Sequence, residues 1–99
     1  MKPMAEIKNK PVEVEVIEEV ITDISLEAKV IVYNDEWHTF DEVIKQIIRA
    51  VHCSPKRAEA LTNQIHFKGK ATVYEGGMED CLMVSSVLEE IALTTVIEV

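Results

Sequence analysis

Three side chains in two well-separated segments are suited to bind a positively charged group. Asn34 and Asp35 are adjacent in a short polar stretch, and His66 follows about thirty residues later. Asp35 supplies a negative charge, while the amide oxygen of Asn34 and one ring nitrogen of a neutral His66 are uncharged acceptors. An ammonium group carries three N–H donors, so it could use all three. These residue types also have ordinary explanations, because Asn and Asp favour turns and a His near a helix end favours the helix dipole.

A metal site is the alternative chemistry that the same segments suggest. Asp35, Glu36 and His38 lie close together in the sequence, and His66 could add a further ligand. No nucleophile with a partner base and no phosphate-binding loop accompanies them. We therefore expect a protein that is not an enzyme and that carries no cofactor, with a metal hydrolase as the lesser alternative.

The polar stretch lies between a predicted strand and a predicted helix. Lys29–Tyr33 is rich in β-branched residues, and Thr39 precedes Glu42 at the spacing of a capping box. From Thr39 to about His52, apolar residues recur at helical spacing and predict one packed stripe, formed by Phe40, Val43, Ile44, Ile47, Ile48 and Val51. A strand therefore leads into a helix through an acidic loop at Asn34–Glu36, where we expect the function to reside.

A second helix is predicted to follow directly. Ser54 is suited to its N-cap, Pro55 to its first position, and Gly69 to the left-handed residue after its end. Its inner face is predicted to consist of Ala58, Leu61 and Ile65.

The last third of the chain predicts a strand, a turn, a helix and a strand. These are Lys70–Glu75, the pair Gly76-Gly77, a third helix, and Thr94–Val99. One side of the third helix is predicted to be lined by Met78, Cys81, Leu82, Ser85, Leu88 and Ala92. Short elements in the order β-α-α-β-α-β favour an α+β sandwich, with a small three-stranded antiparallel sheet on one side and helices on the other.

Composition restricts the class of protein and its partners. The 99 residues suffice for one domain with a modest core, and 47% of them are hydrophobic. A net charge of −8 argues against nucleic acid as a partner. No apolar run predicts a membrane span, and the first six residues lack the apolar segment of a secretory signal. We expect a cytoplasmic protein in which Cys53 and Cys81 are reduced, half-buried thiols.

Residues 1–27 differ from the rest and are predicted to form an N-terminal extension to a domain at 28–99. Valines alternate with glutamates over Val12–Ile17, which predicts a strand, but apolar residues there also recur at helical spacing. The extension is therefore expected to be flexible or to add one strand, which would need a sheet edge to pair with.

Two segments resemble the signature motifs of the ClpS family, the adaptors of the bacterial Clp protease. Val32–Glu36, which leads into a helix, is similar to the family's strand-to-loop entry. Gln64–Ala71 is similar to its second motif, which is an apolar residue, His, an aromatic residue, then x-Gly-Lys-Ala. With the spacing and the order of elements, the resemblance covers about Ala28 to Val99.

The resemblance implies substrate selection rather than catalysis. Family members bind proteins whose first residue is large and hydrophobic, and deliver these N-degrons to the AAA+ unfoldase ClpA or ClpC, which feeds the ClpP peptidase. The residues that match those holding the free α-amino group are Asn34, Asp35 and His66. Because protonation would remove the His66 acceptor, affinity should fall as the pH drops through about 6–7.

Departures from the family pattern concern the walls of the hydrophobic pocket. His38, Phe40, Thr62 and Ile65 are the expected wall residues, and Phe40 and Thr62 stand where many members carry Met. Thr62 should therefore widen the pocket and Phe40 partly refill it. By the same resemblance, Glu79 at the start of the third helix is the expected contact for the unfoldase, although no Lys follows Lys70.

Two alternatives share the predicted fold. One is a ClpS-like interaction module that binds the unfoldase without N-degron recognition. The other resembles the C-terminal domain of the ribosomal stalk protein, which would need a basic, exposed helix that this acidic chain does not obviously offer.

Overall fold

Strand β1 (Glu27–Tyr33) forms the centre of a three-stranded antiparallel sheet. It pairs on one side with β2 (Lys70–Gly77) and on the other with β3 (Thr95–Glu98), so the sheet order is β2-β1-β3. The computed structural model describes Leu26–Val99. The predicted N-terminal extension, including the possible strand at Val12–Ile17, lies almost entirely outside these described residues.

Three α-helices complete the domain and cover one face of the sheet. They are α1 (Phe40–Val51), α2 (Pro55–Lys68) and α3 (Met78–Leu88), and a 3-10 helix at Glu89–Ile91 continues α3. Helix α3 packs against all three strands, α2 packs against β2, and α1 packs mainly against α2 and α3. The predicted α+β class and β-α-α-β-α-β order are confirmed. Among the helices of Leu26–Val99, none is both long and apolar enough to cross a membrane.

Local signals set the ends of α1 and α2 as predicted. The Thr39 hydroxyl accepts from the backbone N–H of Glu42 at 3.1 Å, and the Glu42 carboxylate accepts from the N–H of Thr39 at 2.9 Å. The Ser54 hydroxyl caps α2 in the same way. Gly69 ends α2 at φ 93°, where a side chain would be strained. The start of α1 and both ends of α2 are therefore fixed by local interactions.

The core lies between the sheet and the helices. On β1 the side chains that face it are Ala28, Val30 and Val32, which alternate with residues on the outer face. Further core residues come from every helix and from β2 and β3, among them Val43, Ile47, Ala58, Leu61, Ile65, Val73, Met78, Cys81, Leu88 and Ile97. The predicted inner face of α2 is confirmed. In α1, Phe40 was predicted to belong to the packed stripe, but it is 38% exposed.

Three sequence predictions on the C-terminal half are wrong. Gly76 and Gly77 do not form a separate turn, because they pair with Ala28 and Glu27 and so extend β2 to the start of α3. Ala92 does not line the third helix, because the α-helix ends at Leu88 and Ala92 has a left-handed backbone and an exposed side chain. Cys81 is fully buried rather than half-buried.

Candidate functional site

A backbone hydrogen bond joins the two signature segments, and a second one attaches the first segment to the residue before β3. The N–H of Asn34 donates to the carbonyl of Gly69 at 2.9 Å, and the N–H of Tyr33 donates to the carbonyl of Thr94 at 2.9 Å. Gly69 follows the last turn of α2, which carries His66. The start of the loop is therefore attached to the end of α2, although the two are far apart in sequence.

A cavity of about 470 Å³ lies between this loop, the start of α1 and the end of α2. Its lining includes all seven residues predicted for the amino-group site and the pocket wall, which are Asn34, Asp35, His38, Phe40, Thr62, Ile65 and His66. The volume falls within the range of about 300–1,000 Å³ that is usual for ligand pockets. The structure thus brings the predicted residues to one place, while their binding role stays a prediction.

Glu36, Thr39 and Val43 also line the cavity but were not predicted to do so. Val43 lies one turn after Phe40 in α1, so the helical spacing could have indicated it. Glu36 follows Asp35 directly and brings a second carboxylate to the same loop.

The carboxylate of Asp35 organises the loop. Its Oδ1 accepts from the backbone N–H groups of Trp37 at 3.0 Å and His38 at 3.1 Å, and its Oδ2 lies 2.8 Å from Nδ1 of the His38 ring. Partial burial acts to raise the pKa of Asp35, but the hydrogen bonds from His38 and Trp37 outweigh it and the pKa is lowered. Asp35 is thus anionic and, at the same time, partly committed to its own loop.

His38 connects the loop to the 3-10 helix on the far side. Its Nε2 is hydrogen-bonded to the carbonyl of Ile91, while its Nδ1 contacts Asp35. Burial acts to lower the pKa of His38, but the Ile91 carbonyl and the carboxylates of Asp35 and Glu42 outweigh it and the pKa is raised. The sequence predicted His38 as a wall residue; it lines the cavity, but this link to Ile91 was not foreseen.

His66 lies at the mouth of the cavity among aromatic rings. Its ring packs edge-on against Phe40, with centroids 6.3 Å apart, and against Phe67, with centroids 4.7 Å apart. The Phe67 side chain is 76% exposed and does not line the cavity. The ring of Phe40 therefore connects the start of α1 to His66 in the last turn of α2.

The inner wall is formed by α2. Ile65 and Thr62 are buried, and the Thr62 hydroxyl donates to the carbonyl of Ala58 at 2.8 Å. Because this donor is used within the helix, Thr62 offers the cavity a short side chain without a free O–H.

Glu79 lies away from the cavity and is exposed in the first turn of α3. Gly77, just before this turn, pairs with Glu27 at one end of β1, whereas the cavity loop follows Tyr33 at the other end. A seven-residue strand separates the two places by roughly 20 Å.

The metal alternative gains no support from the geometry. Within Leu26–Val99, no group of three or more His, Cys, Asp or Glu side chains is placed to hold a metal ion. The side chains of Asp35 and His38 bond to each other, and His66 packs against aromatic rings.

A family model and two relatives that this chain covers to two thirds or more identify one family. Residues 25–95 match the family described as "ATP-dependent Clp protease adaptor protein ClpS". The chain is 36% identical to the ATP-dependent Clp protease adapter protein ClpS of Thermosynechococcus vestitus over 67 residues, which is 67% of this chain and 71% of that protein. It is 37% identical to the ClpS of a Synechocystis strain, again over 67 residues, with 67% and 68% covered.

A solved structure is similar in fold. It is described as Agrobacterium tumefaciens ClpS2 bound to L-phenylalaninamide, and the TM-score is 0.70 at 15% identity. The match covers 75% of this chain and 96% of that one.

The contact between His38 and Asp35 should make the stability of the fold depend on pH in both the acidic and the alkaline range. Because the folded state raises the pKa of His38 above its ordinary 6.5, this contribution is complete below about pH 6.5 and is lost as the pH rises through the folded pKa. Because it lowers the pKa of Asp35 below 3.8, that contribution is present above about pH 4 and is lost as the pH falls further. The free energy of unfolding, measured with urea, should therefore decrease from about pH 6 to about pH 8.

The variant His38→Gln should remove the decrease on the alkaline side, since Gln does not titrate. His52→Asn is the matched control, because His52 is exposed at the end of α1 with a left-handed backbone that Asn tolerates. If His38→Gln and the wild type lose the same stability between about pH 6 and pH 8, the assignment to His38 is wrong.

Proposed function

Because this chain belongs to the ClpS family of ATP-dependent Clp protease adaptor proteins, we propose that it selects substrates by a free N-terminus. It binds the α-amino group together with a large hydrophobic first residue, and delivers these N-degron substrates to an AAA+ Clp unfoldase that feeds the protease. The observation that carries the proposal is the cavity, around which all seven predicted residues lie.

The acceptors at the cavity suit a primary ammonium. Asp35 is an anion whose oxygens can accept more bonds than the three already made, and the Asn34 side chain adds a neutral acceptor. His66 at the mouth can accept through one ring nitrogen when it is neutral. An internal peptide bond or an acetylated terminus carries no such cation, so the site distinguishes the end of a chain from its middle.

The walls suit an apolar side chain. Phe40, Val43, Thr62 and Ile65 line the same cavity as the acceptors, so a first residue could place its amino group and its side chain there together. The related ClpS2 structure contains L-phenylalaninamide, which has a free amino group and an aromatic side chain. This ligand supports the proposal by analogy of fold.

The energies are of the size that an adaptor needs. Charge-assisted hydrogen bonds contribute about 1.5–3 kcal/mol each. Burial of a Leu or Phe side chain adds roughly 1.5–3 kcal/mol. After the cost of immobilising the peptide, a dissociation constant on the order of micromolar follows, which permits release to the unfoldase.

The direct test compares a Leu- or Phe-initiated peptide with its N-acetylated twin by titration calorimetry. The free peptide should bind at least about tenfold more tightly, since acetylation removes the ammonium. Asp35→Asn should weaken binding of the free peptide about tenfold, because it removes the charge and keeps the size and the acceptor oxygen.

The matched control for this loss of charge is Glu59→Gln, which changes an exposed carboxylate of α2 outside the cavity. It should leave the affinity unchanged. Asp35→Asn is preferable to Ala because Asp35 also holds the loop. Equal affinity for the free and acetylated peptides would contradict the proposal and favour a module that binds the unfoldase without N-degron recognition.

The identity of the first residue should depend on Phe40. Its ring lines the cavity and spans towards His66, so Phe40→Ala should enlarge the space for a side chain. We expect the affinity for a Trp-initiated peptide, relative to a Leu-initiated one, to rise about three- to tenfold. Thr62→Met should act in the opposite direction.

Phe67→Ala is the control, because Phe67 contacts the same His66 ring but lies outside the cavity. A peptide series that differs only at residue one measures the preference. An identical shift of the preference in both variants would mean that the contacts of the His66 ring, and not the volume of the cavity, determine which first residue is preferred.

Delivery should depend on Glu79. We expect Glu79→Lys to weaken binding to the N-terminal domain of ClpA or ClpC about tenfold, because it reverses an exposed charge in the first turn of α3. The affinity for peptide should stay unchanged, since the cavity lies at the other end of β1. Glu59→Lys is the control for charge reversal elsewhere, and an equal loss in both variants would exclude a specific role for Glu79.

A further inference from the structure

The two ring nitrogens of His38 both face acceptors. Nε2 bonds to the carbonyl oxygen of Ile91, which cannot donate, so Nε2 carries a proton. Nδ1 lies 2.8 Å from Oδ2 of Asp35, and the other oxygen of that carboxylate accepts two backbone N–H groups. A carboxylate held by such donors stays ionised, so Nδ1 must be a donor as well. With both nitrogens protonated, His38 is a cation.

This cation lies beside the carboxylate to which the proposed ligand would bring a second cation, its α-ammonium group. Asp35 and His38 both line the cavity, and their side chains are only 14% and 12% exposed. The negative charge that would attract an ammonium is therefore already compensated by the imidazolium. In addition, the two positive charges would repel each other across a partly buried site.

From this arrangement we infer that His38 is a resident cation that competes with the ligand's α-ammonium for Asp35, so that capture of a free N-terminus releases the His38 proton. The inference rests on the proposed function of the cavity. It makes His38 a positioning residue that acts through Asp35.

Loss of the proton would also free one oxygen of the Asp35 carboxylate. A neutral His38 keeps Nε2–H on the Ile91 carbonyl, and its Nδ1 lone pair then faces the Asp35 carboxylate. Two acceptors cannot bond, so the side chain of Asp35 becomes available to the ligand. The backbone N–H groups of Trp37 and His38 still hold Oδ1, and the loop keeps its shape.

The charged surroundings of the His38 ring are mainly acidic. The loop contributes Asp35 and Glu36, and α1 contributes Glu42. Helix α2 contributes His66, which lines the same cavity, and the 3-10 helix contributes Glu89 and Glu90, which precede Ile91. Glu90 is already paired with Arg49, and Glu89 accepts from Ser85. The other titratable base at the cavity is His66, so its proton has to be separated from that of His38 in any test.

The charge of His38 can be read directly in the unliganded protein. Nitrogen-15 shifts of the ring, followed from about pH 5 to about pH 8, distinguish an imidazolium from either neutral tautomer. We expect both His38 nitrogens to be protonated at about pH 6.5. A neutral ring at that pH overturns the inference, whatever the peptide data show.

The coupling is measured by titrating the free-amine peptide at about pH 6.5, where its α-amino group is charged, in two buffers of different ionisation enthalpy. The wild type should release a fraction of a proton on binding. His38→Gln should release fewer protons, because the His38 proton is absent, and should bind about three- to tenfold more tightly at this pH. His52→Asn, which alters an exposed histidine outside the cavity, should match the wild type.

The outcomes separate this inference from the proposed function. If the wild type and His38→Gln release equal numbers of protons, the coupling is wrong while N-terminus binding stands. If neither protein prefers the free peptide to the acetylated one, the proposed function fails and the coupling fails with it. An imidazolium together with reduced release in the variant supports both.

Discussion

The carboxylate of Asp35 is the constraint on which the candidate site depends. It accepts two backbone N–H groups and contacts the His38 ring, which in turn bonds to the carbonyl of Ile91. Asp35 thus shapes the loop and, through His38, links it to the end of the 3-10 helix. The backbone bond from Asn34 to Gly69 attaches the other side of the loop to α2. The cavity exists because a short polar loop is held between two helical elements. The residues that line the cavity follow from the position of this loop.

The fold separates the cavity from the proposed unfoldase contact along one strand. The cavity loop follows β1, whereas the exposed start of α3 lies beside the beginning of the same strand. Since β1 is the central strand and its core face is buried, the distance between the two surfaces is fixed by the sheet. A substrate at one end and a partner at the other would not compete for space, which suits the adaptor role of the family.

The sequence correctly predicted the structural features that depend on residues close together in the chain. Thr39 with Glu42, and Ser54 with Pro55, identified the starts of α1 and α2 because capping is a local interaction. Gly76 and Gly77 were misread because their pairing with β1 joins residues far apart in sequence. Two adjacent glycines indicate a turn unless the partner strand is known.

The candidate site also has a part that the sequence predicted and a part that it did not. The resemblance identified Asn34, Asp35 and His66, and the structure brings them to one cavity. The bond between His38 and Ile91 could not be foreseen, because Ile91 lies 53 residues away and its carbonyl is available only where the 3-10 helix ends. Such contacts depend on how elements pack, and no local pattern encodes them.

Trp37 gives the loop a property of practical use. It is the only tryptophan in the chain, its side chain is 85% exposed, and its backbone N–H is held by Asp35. The indole is therefore an intrinsic fluorophore between Glu36 and His38, two residues that line the cavity. Its emission wavelength and its accessibility to a soluble quencher would report occupancy of the site in real time, without any attached dye.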